Sequence, residues 1–339
     1  MIKYIVHRLL LMIPTFLGVT LLSFLFINLA PGGPIEQKIQ ALRFGGAGGD
    51  GGGRGSAIVN EAIVEELKRQ YGFDKPLHIR YFLWIKNIFK LDFGNSITYE
   101  EPVLDVITSR FPVSIQFGLA SYFFSYLLCI PLGMLLAVKA NSLLDRSVQT
   151  ILFTLYAVPP LIFGIILIVL FASASHFDWF PIGGFVSDNY NDLSAWDKVL
   201  DRAYHFVLPL GVYVLSGFTT YTMLMRNSML EVIHQDYIRT AKAKGLSLWK
   251  IQFSHALRNA MIPMVTGMGT FLSIFLTGSL IIETVFRLDG IGLLSYKALM
   301  SRDYNLIMGI IFLSSLLSML GRLLSDILYV VVDPRIDFT

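Results

Sequence analysis

The sequence predicts an all-α integral membrane protein with six transmembrane helices. Hydrophobic residues make up 54% of its 339 residues and charged residues only 15%, whereas soluble domains carry about 25% charged residues. The mean hydropathy is +0.62. The chain also contains six apolar runs of the length that an α-helix needs to cross the hydrocarbon core of a bilayer, roughly 20 residues.

The six predicted spans are Leu9 to Ala30, Val113 to Val138, Val148 to Ser173, Phe206 to Met225, Ile262 to Val285 and Leu306 to Val332. The first span follows Lys3 and Arg8, as the apolar part of a signal peptide would. Its apolar run is longer than the roughly 7 to 15 residues of such a segment. We therefore expect it to be retained as a transmembrane helix.

Charges in the short loops predict the orientation, because Lys and Arg accumulate on the cytoplasmic side. Lys139 to Arg146 holds two basic residues and one acidic residue, and Arg226 to Asn259 holds six basic and two acidic residues. Ser175 to His205 instead holds five aspartates against Lys198 and Arg202. We therefore predict that the first two loops and both termini are cytoplasmic and that the third loop lies outside.

Residues 31–112 predict an outer, periplasmic loop domain between the N-terminal helix (1–30) and a five-helix core (113–339). Their ten basic and ten acidic residues are balanced, and the loop is too long for the charge rule to apply. The tract GGAGGDGGGRG at 45–55 predicts a flexible insertion, because glycine loses the most backbone freedom on ordering. Helical spacing of apolar residues predicts amphipathic helices over Asn60 to Tyr71 and Tyr81 to Phe89.

The cytoplasmic segment 236–263, DYIRTAKAKGLSLWKIQFSHALRNAMIP, predicts an element that docks on another protein. From Ser228 onward, apolar residues every three to four positions predict a short amphipathic helix along the membrane surface. Gly245 would end this helix as a C′ glycine, and a second basic helix would follow from Leu248 to Asn259. A generic membrane-surface helix is the alternative interpretation of the pattern.

Small residues in this segment suggest how a partner could approach. Ala241, Ala243 and Gly245 would leave a helix surface on which another protein can pack closely. Arg239, Lys242 and Arg258 could bind acidic or carbonyl groups.

Two pairs of ionisable residues lie within or at the ends of predicted spans. Arg322 and Asp326 are four residues apart in the last span, so we predict that they share a helix face and neutralise each other. Glu283 and Arg287 have the same spacing at the outer end of the fifth span. We predict that this second pair borders a water-filled cavity or a periplasmic gate.

The same sequence argues against several classes of function. The net charge of +3 is small and spread unevenly, which does not favour nucleic acid binding. With Cys129 as the single cysteine, an intrachain disulfide and a CxxC pair are both excluded. No Gly-Lys pair exists for a Walker A loop, and no HExxH or GxSxG motif occurs. We therefore predict no catalytic residue, no metal site and no ATP hydrolysis by the chain itself.

The order DYIRTAKAKGL, followed shortly by HALRNAMIP, resembles the EAA loop of binding-protein-dependent ABC importer permeases, in the form used by dipeptide and oligopeptide permeases. The glutamate of the usual motif is missing. The N-terminal KYIVHRLLLMIPTFLGVTLLSFLFINLAPGGP and the closing DILYVVVDPRID extend the resemblance to the B-type permease subunits of peptide importers. The Gly-rich insertion, FDWFP at 177–181 and DPRIDF are most similar to the Yej-type oligopeptide and microcin C importers.

The resemblance implies a type I ABC importer fold and a non-catalytic subunit in the bacterial inner membrane. Its partners would be a second homologous permease, two ATPases that hold ATP and Mg, a periplasmic peptide-binding protein, the peptide and lipid. The chain itself would bind no cofactor. The resemblance assigns ATPase coupling to Asp236, Tyr237, Arg239, Thr240, Ala241, Lys242, Ala243, Gly245, Leu246, His255, Leu257, Arg258 and Asn259, with Tyr237 to Leu246 as the coupling helix.

Other functions remain open at this point. A permease for a non-peptide solute such as nickel would share the same loop. A secondary transporter would instead show paired repeats and unwound or charged intramembrane helices. A membrane-embedded structural or receptor protein would transport nothing.

Overall fold

The computed structural model describes residues 2–29, 74–266 and 278–332, which contain helices and no strand. The helices are α1 (Ile2–Leu29), α2 (Leu77–Ile88), α3 (Val103–Val138), α4 (Leu143–Ala157), α5 (Pro160–Phe171), α6 (Ala195–Ile233), α7 (Asp236–Ala243), α8 (Leu248–Lys250), α9 (Leu257–Ala260), α10 (Ile262–Thr266), α11 (Leu280–Val285), α12 (Ile291–Met300) and α13 (Tyr304–Val332). The predicted all-α class is therefore confirmed.

The described helices account for four or five membrane spans. Helices α1, α3, α6 and α13 are each long and apolar enough to cross a bilayer, and α4 with α5 makes a fifth if the bent pair counts as one span. The centre of the predicted fifth span, residues 267–277, lies outside the described residues. The Gly-rich tract, the predicted helix at 60–71 and the DPRIDF ending lie outside them as well. The count of six remains a prediction.

The third predicted span is not the single straight helix that the apolar run suggested. Helix α4 ends at Ala157 and α5 begins at Pro160, with 98° between their axes. Val158 has an extended backbone, with ψ of 120°, because a residue that precedes proline is disfavoured in the helical region. Pro159 and Pro160 also lack the N–H groups that would continue the ladder of α4. Hydrophobicity alone could not reveal this change of direction.

Two other spans are longer than predicted. Helix α3 begins at Val103 rather than Val113, so the predicted domain boundary at 112 falls inside a helix. Helix α6 runs from Ala195 to Ile233, and Ser194 caps its start by accepting a hydrogen bond from the Asp197 backbone N–H. An apolar run marks the part of a helix that suits hydrocarbon, whereas the helix itself continues into polar surroundings. The predicted helix near 81–89 is confirmed as α2.

Contacts divide the chain into two compact units. The first unit comprises Met1–Arg8, Arg110–Leu293 and Leu317–Thr339, and the second comprises Leu9–Ser109 and Leu294–Leu316.

The described residues of the first unit include two groups of buried apolar side chains. The loop cluster consists of Ala137, Met225, Met229, Ile238, Ala241, Ile251, Ala256, Ala260 and Met264. The Phe117 cluster consists of Phe117, Ala172, Leu208, Val212, Ile282, Phe286 and Leu288. Between the two helices that supply both clusters, α3 and α6, the backbones approach closely at Gly133. A Cβ there would lie 2.7 Å from both the Met225 Cβ and the Thr222 carbonyl oxygen.

The predicted pairing of Arg322 with Asp326 is wrong. Asp326 accepts instead from the Arg8 guanidinium at 3.0 Å and from the Tyr4 hydroxyl at 3.0 Å. Arg322 is exposed. Helical spacing identifies side chains that can meet along one helix, but a partner on another helix cannot be found from that spacing.

Among the described residues of the second unit, aromatic contacts and the buried carboxylate of Asp303 connect segments that are distant in sequence. Phe312 packs edge-on against Phe16 and Phe93, with ring centroids 5.0 and 5.2 Å apart. Asp303 is fully buried and accepts hydrogen bonds from the Ser96 hydroxyl and the Thr98 backbone N–H. The segment before α3 is thereby joined to the turn between α12 and α13.

The close approach at Gly133 predicts a sharp difference between two glycine substitutions. We expect Gly133→Ala to destabilise the protein by about 1 to 3 kcal/mol, because the added methyl must push α3 from α6. Gly18→Ala is the matched control, since a Cβ at this helical position meets nothing within 4 Å. Thermal unfolding of the purified protein in detergent measures both. Equal stability of the two variants would contradict the packing described.

Candidate functional site

The candidate site begins where α6 ends. The α6 helix stops at Ile233, Gln235 is extended with ψ of 153°, and α7 starts at Asp236. The predicted start of the docking helix at Ser228 is therefore wrong, because Ser228 to Ile233 belong to α6. Apolar spacing runs without interruption through both helices, so it could not locate the turn at Gln235.

One face of α7 is buried against the rest of the first unit. Ile238 is 1% exposed and Ala241 is 7% exposed. Both belong to the loop cluster, which also contains Met225 and Met229 of α6. The prediction that Ala241 leaves room for another protein is therefore wrong: its small side chain allows α7 to lie close to its own chain.

The opposite face of α7 is polar, basic and exposed. Its exposed residues are Asp236, Tyr237, Arg239, Thr240, Lys242 and Ala243. Arg239 and Asp236 approach to 3.4 Å with side chains 72% and 95% exposed, and such exposed ion pairs contribute little to stability. These charges are therefore available to another surface.

Gly245 ends the α7 segment as predicted. Its φ is +75°, and its backbone N–H donates to the Lys242 carbonyl at 3.0 Å. The Leu246 N–H reaches the Ala241 carbonyl at 3.3 Å. This is the paired hydrogen-bond pattern in which a C′ glycine closes a helix. A Cβ on Gly245 would meet nothing within 4 Å, so the position faces open space.

The predicted second helix, Leu248 to Asn259, is present but contains a π-helical segment. Ser247 caps α8, the π-helical turn covers Ile251–Ala256, and α9 follows. Segments of this kind are often found at functional sites and have no compositional signal. His255 lies in the π-helical turn and is partly buried.

The second helix is joined to α7 at its far end. Arg258 and Asn259 are exposed, while Leu257 packs against the loop cluster. The Asn259 side-chain amide donates to the Tyr237 hydroxyl at 2.7 Å. The two arms of the site therefore form one connected surface.

Sequence reasoning missed two apolar residues on this surface. Leu248 is 65% exposed and Trp249 is 69% exposed. Trp249 packs against Phe253, with ring centroids 3.8 Å apart. An aromatic residue two positions after a helix-capping serine in a basic loop is a signal that could have identified them, since tryptophan is enriched in protein interfaces. The surface combines basic charge with exposed apolar area, which suits binding rather than chemistry.

Glu283 and Arg287 are not brought together as a pair. Glu283 is fully buried and accepts hydrogen bonds from the Leu293 N–H at 2.7 Å, the Ser279 N–H at 3.2 Å and the Ser114 hydroxyl at 3.1 Å. Arg287 is exposed, with φ of +53°, beyond the end of α11. The i, i+4 spacing does not hold because the helix stops at Val285.

The surroundings of Glu283 explain why it can be buried. A Cβ on Gly290 would lie 2.6 to 2.7 Å from its carboxyl group, so glycine is needed where the backbone closes over the carboxylate. The carboxylate joins α11, the turn that follows it, and α3, because Ser114 also accepts from the Ile291 N–H at 2.8 Å.

Comparison with known proteins identifies the class. Residues 129–338 match the family described as "Binding-protein-dependent transport system inner membrane component". The chain belongs to this family and is a multi-pass membrane permease of an ABC importer.

Particular relatives match nearly the whole chain. The peptidoglycan transport system permease protein YejB of Agrobacterium fabrum is 43% identical over 99% of this chain and 98% of its own length. The inner membrane ABC transporter permease protein YejB of Escherichia coli O157:H7 is 41% identical over the same shares. The oligopeptide transport system permease protein AppB of Bacillus subtilis is 34% identical over all of both chains. The resemblance to B-type peptide permeases, and to their Yej-type branch, is confirmed.

The opposite placement of two neighbouring alanines generates a prediction. We expect Ala241→Leu to lower stability by about 1 to 3 kcal/mol, because the larger side chain must fit beneath α7. Ala243→Leu, on the exposed face, should leave stability unchanged. Thermal unfolding of the permease purified in detergent compares them, and a larger loss for Ala243→Leu would contradict the seating of α7.

Proposed function

We propose that this chain is the permease subunit of an importer that moves peptides across the bacterial inner membrane. The observation that carries the proposal is the exposed basic surface of α7 to α9, held on a buried apolar face. Relatives named as oligopeptide and peptidoglycan transport permeases match the chain from end to end, which supports peptide-derived cargo. Microcin C-like peptides belong to this proposed class of cargo. The alternatives are a secondary solute transporter and an ABC permease for a non-peptide solute such as nickel.

The proposed assembly contains this chain, a second homologous permease, two ATPases and a periplasmic binding protein. ATP and Mg are bound and hydrolysed on the ATPases, since the chain has no Walker A loop. The loop charges favour cytoplasmic termini, a cytoplasmic α7 and an outer loop domain within 31–112.

In the proposed mechanism, Tyr237 to Leu246 is the coupling helix and occupies a groove of one ATPase. Arg239 and Lys242 would bind acidic or carbonyl groups there. When the ATPases close on ATP, they move α7, and the permease changes from inward to outward opening. A helix seated by Ile238 and Ala241 transmits this movement because its base is packed into the permease.

We also propose that the turn after α11 forms part of a gate at the outer end. Glu283 fixes the turn from within, and Arg287 projects from it to the outside. A carboxylate that accepts from several elements favours one arrangement of those elements. Opening of the outer end would then disturb these hydrogen bonds.

The coupling proposal predicts that Gly245→Glu uncouples ATP hydrolysis from peptide uptake without preventing membrane insertion. A Cβ at Gly245 meets no neighbour in the isolated subunit, although the φ of +75° strains the backbone of any substituted residue, and the added carboxylate would project towards an ATPase. Gly245→Gln is the matched control, because glutamine has nearly the same size and the same backbone strain at positive φ but adds no charge. Peptide uptake and ATPase activity in proteoliposomes with the complete complex measure the effect.

Unchanged peptide uptake by the Gly245→Glu complex would contradict this role of the loop. Uptake that continues without ATP and stops on addition of an uncoupler would indicate a secondary transporter instead.

The gate proposal predicts that Glu283→Gln raises ATP hydrolysis in the absence of binding protein. The neutral amide cannot accept every hydrogen bond that the carboxylate accepts, so the outer turn loosens. Asp188→Asn, an exposed acid in the predicted outer loop, is the matched control. An unchanged basal ATPase rate in a well-assembled Glu283→Gln complex would contradict the gate.

A further inference from the structure

The ion pair between Asp145 and Arg226 joins two helices that are far apart in sequence. The Arg226 Nε donates to one Asp145 oxygen at 2.9 Å, and the Arg226 Nη2 donates to the other at 2.7 Å. The side chain of Asp145 is 2% exposed and that of Arg226 is 12% exposed. Two parallel hydrogen bonds fix the relative orientation of the groups as well as their distance.

The carboxylate of Asp145 is also held on its own side of the pair. It accepts from the Asn141 backbone N–H at 2.9 Å and from the Gln149 amide at 2.7 Å. It therefore orders the turn between α3 and α4 as well as the first turn of α4. We name Asp145 with Arg226 the α4–α6 clamp.

The clamp lies directly beside the seat of the coupling helix. Arg226 follows Met225 in α6 and precedes Met229 by three residues. Both methionines are fully buried in the loop cluster, which also contains Ile238 and Ala241 of α7. A displacement of α7 therefore disturbs the loop cluster, to which this turn of α6 contributes Met225 and Met229.

Further along α4, a second contact repeats the connection. The Thr219 hydroxyl of α6 donates to the Leu152 carbonyl of α4 at 2.8 Å, and both residues are buried. Beyond Ala157 the chain bends by 98°. The end of α3, α4, the end of α6 and α7 are thus connected, and beyond the bend α5 packs against α6 through the Phe117 cluster.

We propose that the α4–α6 clamp positions α4 so that movement of the coupling helix reaches the Pro159 bend, instead of being absorbed between α6 and α4. Asp145 and Arg226 are positioning residues in this proposal and touch neither peptide nor ATPase. The proposal rests on the proposed coupling role of α7.

The functional test compares substitutions at the clamp with one at a second ion pair. In the complete complex, Arg226→Gln and Asp145→Asn should lower the peptide imported per ATP hydrolysed by about tenfold, while ATP hydrolysis continues. Arg226→Lys, which keeps the charge but not both hydrogen bonds, should be intermediate. Arg8→Gln is the control, since Arg8 pairs with Asp326 between α1 and α13, which contribute no residue to the loop cluster, and it should retain the wild-type ratio.

An unchanged import-to-hydrolysis ratio in Arg226→Gln would overturn the proposal. So would a fall of import and hydrolysis in the same proportion, because that outcome shows general loss of folded complex rather than loss of transmission.

A distance measurement tests the clamp independently of transport. Spin labels are attached to cysteines introduced by Thr150→Cys in α4 and Glu231→Cys in α6, which are exposed positions. The native Cys129 can remain, because it is fully buried and would not be labelled. In the wild-type complex, pulsed dipolar spectroscopy should give one narrow distance that is the same without nucleotide and with a non-hydrolysable ATP analogue. In Arg226→Gln the distribution should broaden or shift on nucleotide binding.

The two measurements separate failure of the clamp from failure of the coupling role. A wild-type Thr150–Glu231 distance that changes with nucleotide, or an unchanged narrow distance in Arg226→Gln, overturns the clamp even if Gly245→Glu uncouples transport. If Gly245→Glu has no effect while the distances behave as expected, the clamp stands and the coupling role of α7 fails.

Discussion

The arrangement of the candidate site depends on the burial of one face of an eight-residue helix. A helix as short as α7 is not stable alone in water, because the cost of nucleation is not recovered over so few residues. Ile238 and Ala241 supply the missing stabilisation because both are buried in the loop cluster. Once that face is buried, the basic face must point outward. The exposed charges, the open position of Gly245 and the contact between Tyr237 and Asn259 all follow from this seating.

The packing of α7 also determines whether movement of a bound partner can be transmitted to the membrane helices. Surface charges on a mobile loop could bind a partner, but the movement of the partner would be lost in the loop. Here the loop is packed into α6, and α6 approaches α3 so closely at Gly133 that no Cβ fits. Because packed interiors are not continuously deformable, a displaced α7 must move its neighbours or lose its contacts. The bend at Pro159 is the first place along α4 where the backbone ladder is interrupted.

Much of this architecture could be predicted from the sequence, and the failures have physical causes. Apolar runs located the long helices because burial in lipid depends on composition over about 20 residues. Gly245 was predicted correctly because a C′ glycine is a local requirement of the backbone. The turn at Gln235 was missed, since apolar spacing continues across it. The role of Ala241 was mistaken because a small residue suits close packing on either side of a helix, and only the tertiary structure shows which side is occupied.

The ion pairs show most clearly where local spacing fails. Sequence reasoning paired charges four residues apart, yet Asp326 pairs with Arg8, Asp145 with Arg226 and Arg110 with Asp289. A charge at the bilayer centre costs about 2.5 to 3.5 kcal/mol on insertion scales, and the cost falls towards the ends of a span, so a partner is favoured. A partner on the same helix face adds only about 0.2 to 0.5 kcal/mol and leaves both groups at the same surface. A partner on another helix allows both groups to be removed from lipid while several hydrogen bonds satisfy them, as at Asp145.

A buried pair between two helices also resists separation, since removing one member of a buried pair typically costs about 3 to 5 kcal/mol. The requirement to shelter charge at the ends of the spans is therefore sufficient to produce rigid connections between helices, and a mechanical role for one of them needs no additional structural device.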